Sequence, residues 1–204
     1  MTSQSTRDII LRAAKEVFAE KGYFSTTVDD VAERAGVAKG SIYTYFNSKY
    51  KLFVTALLQD FEKIVRKIEE KVGGIDRIEE RILRGVDIYL DYFEENLFFF
   101  KSLFLERRVL IKESQEKAED GFWKLYQRFI DQLASAFQIG IDKGEIRPLN
   151  PRVLAIGLIG GIDRILFSCL RKQEKTSPKE NVRVFLEAFF EGVKRTPPKT
   201  FREG

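Results

Sequence analysis

The stretch TVDDVAERAGVAKGSIYTYFNSK, from Thr27 to Lys49, narrows the possible folds more than any other part of this chain. It accommodates two short helices joined by a tight turn. Val28, Val31, Ala32 and Ala35 recur at helical spacing and give the first helix one apolar stripe. Thr27 stands where a side-chain oxygen caps that helix, and Asp30 stands where a carboxylate returns the capping bond. Gly36 predicts the stop, because glycine adopts the left-handed backbone that turns a chain out of a helix. A second amphipathic segment begins at Ala38, with Ile42 and Phe46 as its inward anchors. Two helices around a short glycine-containing turn form a helix-turn-helix unit, and the second one is cationic and rich in hydroxyls, as a DNA groove requires.

Charge separates this hairpin from the rest. From Arg34 to Gln59 the chain carries Arg34, Lys39, Lys49 and Lys51 and no acidic residue, a local charge of +4 that equals the formal net charge of the whole protein. Such a cluster suits a polyphosphate backbone, since each neutralised phosphate releases condensed counterions. A solvated face on an ordinary helical hairpin is the competing explanation at this level.

The wording of the segment goes further. GVAKGSIYTYFNSKYKLF, Gly36 to Phe53, resembles the signature of the TetR family of transcriptional regulators. Upstream, ILRAAKEVFAEKGYFSTTVDDVA, Ile10 to Ala32, resembles that family's first helix, its Gly-Tyr/Phe turn and the threonine that opens its second helix. The resemblance in wording covers about the first quarter of the chain, and the remainder is similar in architecture alone. It implies that Lys39, Gly40, Ser41, Tyr43, Thr44 and Tyr45 occupy recognition-helix positions, and that Thr27 and Lys49 anchor phosphates at the starts of the second and fourth helices. Each role has a physical reason. Gly40 lets backbone approach DNA closely, Lys39 reaches a base edge or phosphate, and Ser41 and Thr44 offer short hydroxyls. Tyr43 and Tyr45 donate to phosphates, with packing between helices as their alternative. Lys49 follows the cap Ser48, where the positive end of a helix adds to its own charge. In the polar arm MTSQSTR, Arg7 reaches a phosphate or the minor groove unless the end frays. Ile9, Ile10, Ala13, Ala14, Val17 and Phe18 close over Ile42 and Phe46 as core.

Beyond residue 50 every strong periodicity is helical, so the whole chain reads as all-α with about nine helices. At 204 residues and 44% hydrophobic it is long for one small DNA-binding module. We expect a helix-turn-helix domain over 1–50 and a helical ligand-binding and dimerisation domain over 51–204. One helix carries Phe53, Leu57, Ile64, Ile68 and Val72 and ends at Gly73-Gly74; the next follows Asp76 and carries Ile78, Ile82, Val86, Tyr89 and Phe93. A shorter one spans about Phe98 to Leu110. Another carries Phe122, Tyr126, Phe129, Leu133 and Phe137 and stops at Lys143-Gly144, and the last two begin at Pro151 and Pro178, where proline suits a first turn.

The helix Pro151 to Lys172 has two apolar faces, one through Leu154, Leu158, Ile162, Ile165 and Cys169, the other through Ile156, Ile159, Gly160, Phe167 and Leu170. A helix apolar all round must be covered all round. One face suits its own domain and the other a second copy, with Gly157, Gly160 and Gly161 allowing close approach and Phe185 and Phe189 of the last helix joining in. A homodimer would also place two recognition helices on two half-sites. An unusually central helix in a monomer is the alternative.

The chain has 18 phenylalanines. Phe93, Phe98, Phe99, Phe100, Phe104, Trp123, Tyr126 and Phe129 fall on helices that would surround a central cavity for an apolar or aromatic effector, although aromatic stripes more often form core. Charges within apolar segments, Asp163 with Arg164 and Arg107 with Arg108, must be paired, solvated or used by a ligand. Apolar walls beside arginines would suit the acyl-coenzyme A thioesters that some TetR-family members sense. The ligand set is therefore Phe93, Phe100, Phe104, Arg107, Trp123, Tyr126, Phe129 and Asp163.

Other chemistries find little support. Cys169 is the sole cysteine and histidine is absent, which excludes an internal disulfide, Cys/His zinc sites and histidine-based triads. No paired carboxylates, Gly-rich phosphate loop or activated nucleophile stands out, so neither an enzyme nor a cofactor or metal is expected. The start MTSQSTRDII lacks the pattern of a signal sequence, and the longest apolar run, VLAIGLIGGI from Val153, is short for a bilayer, so the expected location is cytoplasmic with no membrane partner. The expectation is a ligand-responsive transcriptional repressor that binds a palindromic operator as a dimer and is released by a small apolar or amphipathic effector. The alternative is an effector-independent or sequence-tolerant DNA-binding protein.

Overall fold

Helical periodicity governs every regular element that the computed structural model describes, which covers residues 3–96, 100–101, 121–171 and 177–194. Among these residues there are eight helices and no strand: α1 (Ser3–Ser25), α2 (Val28–Ala35), α3 (Lys39–Tyr45), α4 (Lys49–Val72), α5 (Ile78–Glu95), α6 (Gly121–Asp142), α7 (Pro151–Arg171) and α8 (Pro178–Val193). The helix expected around Phe98 to Leu110 lies outside the described residues apart from Phe100 and Lys101, and so does Lys172 at the expected end of α7. Two breaks have a clear backbone cause. Gly22 interrupts α1 with φ 75°, and Gly36 ends α2 with φ 64°, conformations that a Cβ would strain.

The described chain divides into two compact units, Met1–Arg66 with Asp91–Tyr126 and Lys67–Leu90 with Gln127–Gly204. In the first, Ile10, Ala13, Ala14, Val17 and Phe18 of α1 are buried together with Ile42 and Phe46, as expected for the core of the hairpin, and Val31 and Phe53 join them. Phe18 meets Phe53 edge-on at 5.0 Å between ring centroids, and Tyr23 lies 4.9 Å from the same ring. Ile9 is only half-buried. One polar feature crosses this apolar set: Lys15 of α1 donates to Asp60 of α4 at 2.5 Å, and the Asp60 carboxylate is almost wholly buried. Burial of the Lys15 ammonium outweighs its attraction to Asp60 and pushes its pKa below the usual lysine value.

The second unit is built around Ile78, Ile82, Phe137, Ile146, Leu158, Leu166, Leu186 and Phe190, all buried. At the start of α5, Glu145 from the turn after α6 accepts the Ile78 amide proton at 2.8 Å. That removes one orphan donor from a helix start. Arg147 fixes the far side of the same turn, its amide donating to the Val193 carbonyl at 2.8 Å and its guanidinium to the Gly192 carbonyl at 2.7 Å. Where α7 crosses α8, a Cβ on Gly161 would lie 2.4 Å from the Phe185 ring, so glycine is demanded by packing within one chain.

The two-faced reading of α7 needs two corrections. Ile159, expected on the outward face, is buried, and the outward stripe is Val153, Ile156, Gly157, Gly160 and Arg164. The apolar run at Val153 is also part of a longer whole: over Pro151–Leu170, the helix is long and apolar enough to cross a membrane by length and composition. Of that span 33% is buried, and Val153 and Ile156 are its exposed large apolar side chains.

Candidate nucleic-acid interface

Local chemistry sets the pose of α2. The Thr27 hydroxyl accepts the Asp30 amide proton at 3.1 Å, and the Asp30 carboxylate accepts from the Thr27 amide at 2.7 Å and from its hydroxyl at 2.8 Å. This is the reciprocal box that the Thr27/Asp30 spacing predicts. Lys21 donates to the same carboxylate at 2.7 Å, and Lys21 together with the Thr27 donors holds the Asp30 carboxyl far below the usual range. After Gly36 the Val37 amide closes the turn on the Ala32 carbonyl at 3.1 Å, and α3 starts at Lys39.

On α3, burial sorts the residues by face. Ile42 and the closing Phe46 point into the core, while Lys39, Gly40, Tyr43 and Thr44 are exposed and Ser41 and Tyr45 are half-buried. A Cβ on Gly40 would meet no protein atom within 4 Å. Glycine costs a helix about 0.5–1 kcal/mol relative to alanine, and no contact among the described residues asks for that cost here. Thr44 turns its hydroxyl back to the Gly40 carbonyl at 3.1 Å, which leaves its oxygen lone pairs as acceptors. The Tyr45 ring lies 6.5 Å from that of Phe46, and Arg7 places its guanidinium 5.5 Å from the Phe46 ring centroid on the same buried anchor.

The cations are engaged differently from what their sequence positions suggest. Lys39 donates to Asp29 at 2.8 Å, and this hydrogen bond raises the lysine pKa above its usual value. Arg34 forms a forked pair with Glu20 at 3.0 and 2.8 Å and a further bond to Glu16 at 3.2 Å. Lys49 donates to the Tyr23 and Thr26 carbonyls at 2.9 and 2.8 Å and stands 4.5 Å from the Tyr23 ring centroid. The acid-free window of +4 is thus partly neutralised in space, because α1 and α2 fold carboxylates back beside it. Glu16, Glu20 and Asp29 are the residues that sequence reasoning missed. Helical periodicity ranks faces within an element but does not pair residues 10 to 18 positions apart across elements.

Residues 10–56, which contain all of α2 and α3, match the family model of bacterial regulatory proteins, tetR family. Those residues carry the likeness to TetR-family transcriptional regulators, and regulators of that kind recur among the sequence and structure neighbours of the whole chain. It is 27% identical over 190 residues to the uncharacterized HTH-type transcriptional regulator YhgD of Bacillus subtilis, covering 90% of this chain and 93% of that protein. To the fatty acid metabolism regulator protein of the same organism it is 27% identical over 167 residues, or 81% of this chain and 84% of that one. Among solved structures, the transcriptional regulator FadR from Bacillus subtilis, in complex with stearoyl-CoA, superposes with a TM-score of 0.81 at 24% identity over 91% of this chain and 98% of that one. The TetR-like fold accounts for the all-helical architecture, and α2 with α3 is its DNA-binding helix-turn-helix.

The residues expected at the effector are distributed over both units. Phe93 and Phe100 are buried in the first and meet edge-on at 4.9 Å, while Tyr126 lies 6.3 Å from Phe61. Phe129 and Asp163 belong to the second, where the Tyr89 hydroxyl donates to Asp163 at 2.8 Å. Phe98, Phe99, Phe104, Arg107, Arg108 and the side chains of Phe122 and Trp123 lie outside the described residues. Arg164 is exposed, with its guanidinium 5.4 Å from the Phe167 ring centroid. Of the residues expected at a dimer contact, Ile156 and Gly160 are exposed and Phe167, Phe185 and Phe189 are half-buried; the Phe185 and Phe189 rings lie 5.9 Å apart. Among the described residues no group of three or more His, Cys, Asp or Glu could hold a metal ion.

Proposed function

We propose that this regulator is a repressor that binds a palindromic operator as a homodimer in the cytoplasm and is released by a small amphipathic effector of the long-chain acyl-CoA class. The observation that carries the DNA reading is Gly40, an exposed helical glycine for which no neighbour among the described residues gives a reason, set among Lys39, Tyr43 and Thr44 on one face of α3. Close approach of a DNA backbone supplies the reason. In this reading Thr27, Lys39, Gly40, Ser41, Tyr43, Thr44, Tyr45 and Lys49 form the operator surface, within a DNA-binding domain of residues 1–50, and residues 51–204 bind effector and partner subunit.

The outward stripe of α7 supports dimerisation. Val153 is 63% and Ile156 49% exposed, and Gly157 and Gly160 would each accept a Cβ with no atom of the described residues within 4 Å. Covering such apolar surface with a second copy gives about 25 cal/mol per Å² removed from water. The fatty acid metabolism regulator and the stearoyl-CoA complex among its relatives support the effector class, with Phe93, Phe100 and Tyr126 of the first unit as candidate apolar contacts. Stearoyl-CoA would act through differential affinity for two arrangements of the dimer, only one of which holds the α3 helices about 34–36 Å apart.

The test begins with duplexes enriched by the protein from a random-sequence library, followed by fluorescence anisotropy with stearoyl-CoA and by sedimentation. An inverted repeat bound by two chains and released by stearoyl-CoA is the expected result. Enrichment of a single half-site would remove the dimeric operator. Release by aromatic compounds but not by stearoyl-CoA would replace the effector class, and indifference to both would favour effector-independent binding.

A further inference from the structure

The amino ends of α2 and α3 are joined by one exposed ion pair: Asp29, in the first turn of α2, accepts from Lys39, the first residue of α3, at 2.8 Å. Both side chains are more than half exposed, so core packing does not require the pair. A carboxylate there is costly for a surface that must approach phosphates, since it adds like-charge repulsion and occupies the very ammonium the phosphates would attract. We propose that Asp29 determines operator specificity, by holding Lys39 away from phosphates on random DNA and by reading a base together with Lys39 on the operator.

The inference rests on the operator reading of α3 given above. Random duplex offers the pair mainly phosphate oxygens, which Lys39 can meet only by leaving Asp29 or by bringing the carboxylate close to the backbone. A suitable base step in the major groove offers more. Guanine presents acceptors at N7 and O6, which suit the Lys39 ammonium, and cytosine and adenine present an exocyclic amine, which suits the Asp29 carboxylate. The pair therefore lowers non-specific affinity and retains affinity where a donor and an acceptor lie side by side. Sequence-specific regulators need that combination, because non-specific sites vastly outnumber operators. Arg34 is committed in the same way to Glu16 and Glu20, but those partners lie on α1 and its fork closes the α1–α2 packing, so Asp29 is the carboxylate at the entrance to α3 itself.

The test compares wild type, Asp29→Asn and Asp29→Glu as full chains, each binding the library-enriched duplex and its scrambled counterpart by anisotropy over a range of KCl concentrations. Asp29→Asn should bind the scrambled duplex about two- to fivefold more tightly, the range that release of one exposed ion pair spans. Its salt slope on that duplex should steepen by about one as Lys39 engages phosphate. Affinity for the enriched duplex should not rise, so that the ratio between the two falls, and Asp29→Glu should keep the wild-type ratio. Unchanged helical circular dichroism and melting show that the variants fold. A wild-type preference with an unchanged ratio in Asp29→Asn overturns this inference and leaves the operator reading standing; failure of wild type to enrich any duplex overturns both. Parallel weakening on both duplexes identifies Asp29 as a support of α2 alone and overturns the proposal.

Discussion

Helices α3 and α7 each turn one face inward and one outward, and the contrast lies in what the outward face carries. On α3 it is polar and cationic, with Lys39, Gly40, Tyr43 and Thr44; on α7 it is apolar, with Val153, Ile156, Gly157 and Gly160. Both outward faces contain glycine where, among the described residues, no atom lies within 4 Å of an added Cβ, whereas Gly161, one residue from Gly160, is closed off by Phe185. Adjacent glycines in one helix thus answer to different neighbours. A glycine explained from inside supports the fold, and a glycine without such a reason among the described residues fits the proposed partners, DNA at α3 and a second copy at α7.

The strongest way to break this contrast is substitution of the neighbouring pair. Gly161→Ala forces the Phe185 ring to move and should cost about 1–3 kcal/mol, read as a lower melting temperature of the whole protein. Gly160→Ala should leave folding intact yet weaken dimerisation about tenfold in sedimentation, a change of about 1.4 kcal/mol. Equal thermal losses in both variants would show that Gly160 is also packed from within.

Gly40→Ala sharpens the other side of the comparison with opposite signs in two assays. Helix propensity should stabilise the fold by about 0.5–1 kcal/mol in urea, while the added Cβ reduces affinity for the enriched duplex. Stabilisation without loss of binding would remove Gly40 from the operator surface. The smallest effect is expected from acid titration of the α2 cap. Because Lys21 and Thr27 lower the folded-state pKa of Asp30, its contribution to stability is fully present above the ordinary aspartate value and disappears only as pH falls through the depressed one. The melting difference between wild type and Asp30→Asn should therefore stay constant from pH 8 to about 5 and shrink only in stronger acid.

What could be read in advance follows the range of the interactions. The Thr27/Asp30 box acts over three residues, and Gly36, Pro151 and Pro178 mark helix ends through their own backbones, so these features were legible. The all-helical class and the buried positions of Ile42, Phe46, Leu158 and Ile162 followed equally from periodicity. The misplacement of Ile159 has a geometric cause: a helix buried over a wide arc has no sharp edge in its sequence pattern. The carboxylates beside the charge cluster were not legible for a related reason, since Asp29, Glu16 and Glu20 are remote in sequence from the cations they pair with.

The sequence by itself therefore determined the helices, their ends, the inward anchors of the hairpin and the wording by which the DNA-binding helix-turn-helix is recognised, all of which depend on residues within a few positions of one another. Tertiary structure decided which cations are already engaged, that Lys49 holds the Tyr23 and Thr26 carbonyls, that Gly161 belongs to Phe185, and which face of α7 remains uncovered. Those outcomes depend on where separate helices meet, and electrostatic and packing energies act through distance in space regardless of distance along the chain.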